Sequence, residues 1–332
     1  MTERRDPRAL PKGHLHLHLE AAMRPETLTD LAASMDVRIP PVTGFTGFAA
    51  FAGMYEGLLA VLAEPAHLRR LIDEAVADAA ADGVVYVEFG VSPQFYVDAF
   101  GSLEAALDAH IDAAAESGAR HGVEVGLMVT VDRTDDLEAA LALARVAASR
   151  AGRGVVSLGL ANEERGHPAK DFAEAFRIAR DAGLQSTPHA GELVGPESVW
   201  QAIDDLGAVR VLHGVRAIED SELVAVLAER GVCLDVCPTS NLLLDVVDDL
   251  AAHPLPALLA AGVRCSINAD DPILFGPGVG EEYLVARDRI GLTDRQLADC
   301  AWSSIETTLA SDAVKKQAKA GIDAWLAEGR DE

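Results

Sequence analysis

From residue 83 onward the chain repeats one phrase. An alanine-rich stretch at helical spacing is followed, often after a glycine, by a short run of β-branched and apolar residues. The runs cover residues 84–89, 123–131, 155–161, 185–192, 210–215, 232–237 and 264–270, and glycines at 83, 122, 154, 183, 231 and 262 punctuate them. Helix, glycine, strand is the order in which a helix closes on a left-handed residue and the chain returns as a strand. Strands separated by helices pair in parallel, because a parallel neighbour needs a long crossover. An eighth run comes first, at residues 13–20, where His and Leu alternate strictly as Gly13-His14-Leu15-His16-Leu17-His18-Leu19-Glu20. Eight parallel strands with intervening helices predict a single α/β (β/α)8 TIM-type barrel spanning residues 1–332. Residues 40–64, between the first strand and the next helix, read as a helical lid insert. Residues 280–328 read as C-terminal helices packed outside.

Period-two alternation places His14, His16 and His18 on one strand face and the leucines on the other. In a barrel, side chains at strand C-terminal ends face the mouth, where chemistry is done. Polar residues that close otherwise apolar runs are therefore the candidates. They are His16, His18 and Glu20 on the first strand, Glu88 on the second, Asp132 on the third, and Asn162, Glu163 and Glu164 on the fourth. The fifth offers His189 and Glu192, the sixth His213, the seventh Thr239, Ser240 and Asn241, and the eighth Asp270 and Asp271.

His16, His18, His189 and Asp270 converge in this reading as three nitrogens and one oxygen. That set suits Zn²⁺, one per chain, with Fe²⁺ or Mn²⁺ as alternatives. A metal with an open position lowers the pKa of a bound water towards neutrality. His213 and Asp270 then orient that water or take its proton, and Glu192 passes a proton to the substrate. The expected chemistry is metal-assisted hydrolytic attack on an electrophilic carbon. His14 reads as a deeper, buried and hydrogen-bonded histidine. Phe48, Phe51 and Tyr55, at helical spacing, read as core or as the substrate-facing side of the lid.

Charge and cysteine usage exclude other classes. The chain carries 28 basic and 53 acidic residues, a net charge of −25, which disfavours nucleic acid and anionic membranes. Four scattered cysteines make no disulfide framework, and no signal-peptide pattern or membrane-length apolar run is present, so a cytoplasmic location is expected. No P-loop lysine motif, Gly-x-Ser-x-Gly elbow, thiolate-zinc deaminase pattern or Gly-x-Gly-x-x-Gly occurs.

Five ordered motifs carry a resemblance. Pro11-Lys12 with His16-Leu17-His18-Leu19-Glu20, Thr187-Pro188-His189-Ala190-Gly191-Glu192, His213-Gly214, Cys237-Pro238-Thr239-Ser240-Asn241 and Ser266-Ile267-Asn268-Ala269-Asp270-Asp271-Pro272 stand in the order and spacing of the adenosine deaminase family, within the amidohydrolase superfamily. The chain resembles that family from about residue 10 to 310. The resemblance implies zinc on His16, His18, His189 and Asp270. It implies that Glu192 protonates N1 of a purine while activated water attacks C6, that His213 helps orient and deprotonate the water, and that Asp271 meets N7. Ammonia leaves and a 6-oxopurine remains. Glu20 stands at a ribose-contact position, and Asn162 at a loop position whose backbone N–H meets the purine N3.

Three positions depart from the family pattern: Ala21 where Gly is usual, Asn162 within a Leu-Ala-Gly-Asp-Glu type loop, and His14 where an acid is common. The expected substrate is a 6-aminopurine nucleoside of the adenosine kind. The alternatives are aminodeoxyfutalosine, adenine or an N6-substituted purine, and, further away, an amide or ester. A small-molecule purine is the only partner expected, and the oligomeric state is left open.

Overall fold

A computed structural model describes residues 5–39, 44 and 48–328. Eight strands form it: β1 (Lys12–His18), β2 (Val84–Val91), β3 (Glu124–Asp132), β4 (Val155–Ala161), β5 (Gln185–Ala190), β6 (Arg210–His213), β7 (Cys233–Val236) and β8 (Arg264–Ile267). They pair in parallel in chain order from β1 to β8. Closure between β8 and β1 runs through Asp270: its N–H donates to His16 O at 3.0 Å and its carbonyl accepts from His18 N at 3.1 Å. The result is a nearly closed α/β TIM-type barrel with helices between the strands.

All eight sequence runs correspond to strands, and the helix that follows the insert is Pro65–Ala81. Each of the six punctuating glycines has a positive φ, from 67° to 106°. Gly83 shows why no side chain fits there, since a Cβ would lie 2.1 Å from Arg8 O. Strand β5 contains His189 and stops two residues before Glu192, β6 ends on His213, and β8 stops three residues before Asp270. Part of the expected insert, residues 40–43 and 45–47, lies outside the described residues. Its remainder forms the helix Phe48–Leu59. The C-terminal helices Val279–Val285, Asp294–Glu306 and Asp312–Ala327 are present, and Asp294–Glu306 packs on β8 and β1.

The alternation of β1 is interrupted. A register shift between His14 and Leu17 separates His14 from His16 and His18. His14 is buried, its Nε2 accepts from Ala269 N at 3.2 Å, and with Leu17 it lines a separate hollow beside the helix Pro65–Ala81. The shared face expected for three histidines thus holds for two, because closure onto β8 draws the strand out of simple pleat.

Below the mouth the barrel is filled by a charged network instead of aliphatic layers alone. The buried guanidinium of Arg210 donates to Asp235 Oδ2 at 2.9 Å and to Glu88 Oε1. Ser157 Oγ (2.6 Å) and Tyr86 OH (3.2 Å) complete Glu88, while Ser266 Oγ completes Asp235 at 2.7 Å. Asn268 continues the chain upward, donating to Ser266 Oγ and accepting from the N–H groups of Leu15 and His16. Burying three charges is tolerable only when every one is paired and hydrogen-bonded, as here. Glu88 therefore belongs to the floor that orients β1, and it is absent from the mouth.

Candidate metal centre and catalytic pocket

β1 and β5 bring three imidazoles together at their C-terminal ends. His189 Nε2 lies 3.0 Å from His16 Nε2 and 3.2 Å from His18 Nε2. Asp270 Oδ1 is 3.0 Å from His16 Nε2 and 3.4 Å from His18 Nε2. The four ligand atoms fall within 4.8 Å of one another. A tetrahedron with bonds of about 2.0 Å has edges of about 3.3 Å, and the four measured edges bracket that length.

Tautomers support the same reading. His189 Nδ1 sits 2.9 Å from Leu160 O, and His16 Nδ1 lies 3.2 Å from Asp235 O. A carbonyl only accepts, so both rings donate from Nδ1 and turn an Nε2 lone pair inward. Lone pairs facing one another beside a carboxylate repel unless a cation lies among them. The same need for positive charge shows in the protonation balance. Burial lowers His16, but the Asp270 carboxylate and the Asp235 carbonyl outweigh it and hold the ring above its ordinary pKa. Burial pulls His18 down to about 4 and His189 well below its ordinary value. The residues fit a metal of the zinc type.

A cavity of about 340 Å³ opens over this cluster. His18, His189, Asp270, Glu192, His213 and Asp271 line its inner end, with Asp132 and Asn162 on one side. Phe48, Phe51 and Tyr55 line it as well, together with Leu59, Phe95 and Leu244. These lid aromatics thus wall the pocket.

Glu192 sits on the turn after β5, and a single residue shapes that turn. Glu164 is buried and takes the N–H groups of Gly191, Glu192, Leu193 and Val194 at 2.7–3.2 Å, plus the hydroxyl of Ser198. Gly191 is required there: its φ is +67°, and a Cβ would meet Val199 Cγ2 at 2.4 Å. Arg133, also buried, donates to His189 O at 2.6 Å and ties the end of β5 from the other side. Burial, the nearby Asp270 and Glu164 push the Glu192 carboxyl well above its usual range, with Arg133 opposing. That direction favours the protonated acid, the form a proton donor needs.

Asp271 is buried, lines the cavity and has an Oδ1 with no partner. Burial and then the Asp270 charge raise its pKa well above normal. A buried acid oxygen without a partner, on a residue that lines the cavity, is a candidate contact for a ligand nitrogen. His213 Nε2 lies 3.4 Å from Glu192 Oε1 and 3.8 Å from Asp270 Oδ2. Three non-glycine residues at strand ends hold a left-handed backbone: Asn162 at φ +78°, His213 at +61° and Asp270 at +62°. Strain of this kind clusters at functional sites, where it aims side chains the strand direction would not.

Two expectations for substrate contacts meet different settings. Asn162 lines the pocket and takes the backbone conformation a glycine would take, while its amide donates to Asp132 Oδ2 at 2.8 Å. Glu20 is buried, and its two oxygens accept from Tyr55 OH at 2.7 Å and Tyr96 OH at 2.9 Å. It is not among the residues lining the cavity. The two tyrosines already satisfy the group that was expected to meet a ribose.

Cys237 is buried and touches His16 Nδ1 with its thiol at 3.2 Å. His16, His213 and Cys237 form a second cluster of ligand type. Burial holds the Cys237 thiol well above its usual pKa, so it stays protonated and does not compete as a thiolate.

Comparison with known proteins finds relatives over nearly the whole chain. The sequence model of a family described as adenosine deaminase matches residues 11–325. A Streptomyces coelicolor protein named for both adenosine and adenine deamination is 40% identical over 97% of this chain and 98% of its own. The crystal structure of an adenine deaminase from Arthrobacter aurescens superposes with a TM-score of 0.88 at 30% identity, covering 96% of this chain and 99% of that one. An amidohydrolase structure from Burkholderia ambifaria, with bound Zn, superposes at 0.85 and 28% identity over 96% of this chain and 92% of that one.

Proposed function

This chain belongs to the adenosine deaminase family of hydrolytic deaminases, and from that premise we propose that it converts a 6-aminopurine nucleoside of the adenosine kind to the 6-oxopurine and ammonia. The observation that carries the proposal is one cavity over a His16, His18, His189 and Asp270 cluster, lined also by the buried Glu192 and by Asp271, one of whose oxygens has no partner.

Zinc is the metal we propose for the cluster, supported by its donor set, its edge lengths and a zinc-bound structural relative. When bound it would polarise water and lower its pKa. The chain's own residues do the rest. Glu192 gives its proton to ring N1, which draws electrons from C6 and makes that carbon the electrophile. Asp271 holds N7 and so fixes the ring in the cavity plane. The Asn162 backbone N–H, set by its left-handed conformation, is directed to N3. His213 orients the attacking oxygen. Phe48, Phe51 and Tyr55 cover the purine and exclude bulk water.

A second reading, free adenine or an N6-substituted adenine, is favoured by Glu20. Its oxygens are both engaged by tyrosines, which leaves a ribose hydroxyl without the acidic partner expected for it. Ammonia or amine release from adenosine, 2′-deoxyadenosine, adenine, aminodeoxyfutalosine and N6-substituted adenines by the metal-loaded protein tests both. Preference for a nucleoside supports the first reading and preference for a free base the second. No turnover of any 6-aminopurine by fully metal-loaded protein contradicts both.

A further inference from the structure

A line of four buried groups leads from the protein interior to His213. Leu255 N donates to His253 Nδ1 at 3.1 Å. His253 Nε2 lies 3.2 Å from Asn241 Oδ1, and Asn241 Nδ2 lies 3.1 Å from His213 Nδ1. Asn241 is fully buried, and His253 and His213 are 4% and 1% exposed, so no bulk water interrupts the line.

The direction of every link is forced by the first. A backbone N–H can only donate, so His253 Nδ1 must accept, and the neutral ring carries its proton on Nε2. That N–H needs an acceptor, which fixes the Asn241 amide with its oxygen towards His253. The amide NH₂ then faces His213, whose Nδ1 must accept. The proton of neutral His213 is left on Nε2, the nitrogen that faces Glu192 Oε1 and Asp270 Oδ2. Burial lowers His253 to about 4, which keeps that ring neutral and the inner end of the line intact. His16 and His189 are set the opposite way, donating from Nδ1 to carbonyls and presenting Nε2 lone pairs.

We propose that Asn241 and His253 are positioning residues that lock His213 as the Nε2–H tautomer, so that His213 enters the reaction as a hydrogen-bond donor. This deepens the proposed deaminase reading and rests on it for the role of His213, while the tautomer itself is a property of the folded chain. A donor at this point stabilises negative charge developing on the attacking oxygen. It also withholds an imidazole lone pair from the metal, which separates His213 from the three ligand histidines. Proton acceptance then falls to a carboxylate: Glu192, whose Oε1 lies 3.4 Å from His213 Nε2, serves as the proton donor in the proposed reaction, which leaves Asp270, with Oδ2 at 3.8 Å.

The test is long-range ¹H–¹⁵N correlation on zinc-loaded, full-length protein labelled at histidine ¹⁵N, with His213→Gln used only to assign the His213 signals. The expected spectrum shows a protonated Nε2 and an unprotonated Nδ1 for His213 between about pH 6 and pH 9. A protonated Nδ1, or an imidazolium, overturns the proposal whether or not the enzyme turns over the expected substrate. Asn241→Asp supplies a near-isosteric group that accepts from both rings. It is expected to move the His213 proton to Nδ1 and to lower kcat by about 10²–10³-fold, with KM changing less than about threefold; a wrong tautomer is costly in this way in other catalytic histidines. A switched tautomer with unchanged kcat overturns the donor role. If Asn241→Asp does not fold, the spectrum of the unaltered protein still decides the tautomer.

Discussion

His16 and His189 turn their Nε2 atoms towards each other at 3.0 Å while each donates from Nδ1 to a main-chain carbonyl. Neither nitrogen can supply a proton to the other in the neutral state, so the pair is built for a cation. His189→Ala leaves two imidazoles and one carboxylate. Loss of an outer-sphere partner alone typically costs 10–100-fold in metal affinity. Loss of a ligand should exceed that, and zinc affinity is expected to fall by more than about 10²-fold. Competition with a chromophoric chelator measures it, and an unchanged affinity contradicts the ligand assignment.

Glu164 should matter as much to activity as a residue that touches substrate. Glu164→Ala abandons four backbone N–H groups and the Ser198 hydroxyl around the turn that carries Glu192. Leaving buried donors unsatisfied costs about 1–3 kcal/mol each, moderated by rearrangement and water entry. A loss of roughly 3 kcal/mol or more is expected in urea denaturation, with kcat reduced by at least about tenfold in the fraction that remains folded. Native stability and kcat together would show that the turn holds itself.

Glu282 gives the protein a pH-dependent stability of definite sign. It is buried, one of its oxygens has no partner, and burial pushes its pKa from 4.5 to about 8, with Thr239 hydrogen bonds opposing. A carboxyl with a raised folded pKa holds its proton more tightly folded than unfolded. Its contribution is therefore complete below about pH 4.5 and is lost progressively as the pH rises to about 8. Glu282→Gln should flatten the decline of the urea midpoint between about pH 5 and pH 8. An equally steep decline in the variant contradicts this assignment.

Nucleotides should be poor substrates. Among the described residues, those lining the cavity include the acidic Asp132 on one side and no Lys or Arg to pair with a phosphate. Like charges brought together at a binding surface cost several kcal/mol. The kcat/KM for adenosine 5′-phosphate is expected to be at least about 10²-fold below that for the better of adenosine and adenine. Comparable values would require a cationic partner that the cavity lining lacks.

The barrel could be read from the chain because helices, glycines and apolar runs are local features, and so are the polar strand ends that include the four candidate ligands the structure brings together. What could not be read depends on pairing across the barrel. Glu88 looked like a mouth residue because it ends an apolar run, yet Arg210, more than a hundred residues away, makes it part of the floor. Glu20 matched a motif, but its capture by Tyr55 and Tyr96 follows from how the lid helix and the segment after β2 fold over it. His14 was separated from its neighbours by a register shift that closure imposes and alternation cannot announce. Glu164 and Asn241 were visible as polar strand ends, without any sign of what each would hold. His253 stands outside every motif, in a loop before the helix Leu255–Ala260, and only its place behind Asn241 reveals it.

The central claim is that one metal, held by His16, His18, His189 and Asp270, serves a hydrolytic deamination. Titrating zinc into chelator-stripped protein while recording bound metal and ammonia release from the best 6-aminopurine tests it most directly. Turnover should rise in proportion to bound zinc and level off at about one equivalent per chain. Full turnover in the stripped protein, or a plateau only at about two equivalents, would contradict the claim.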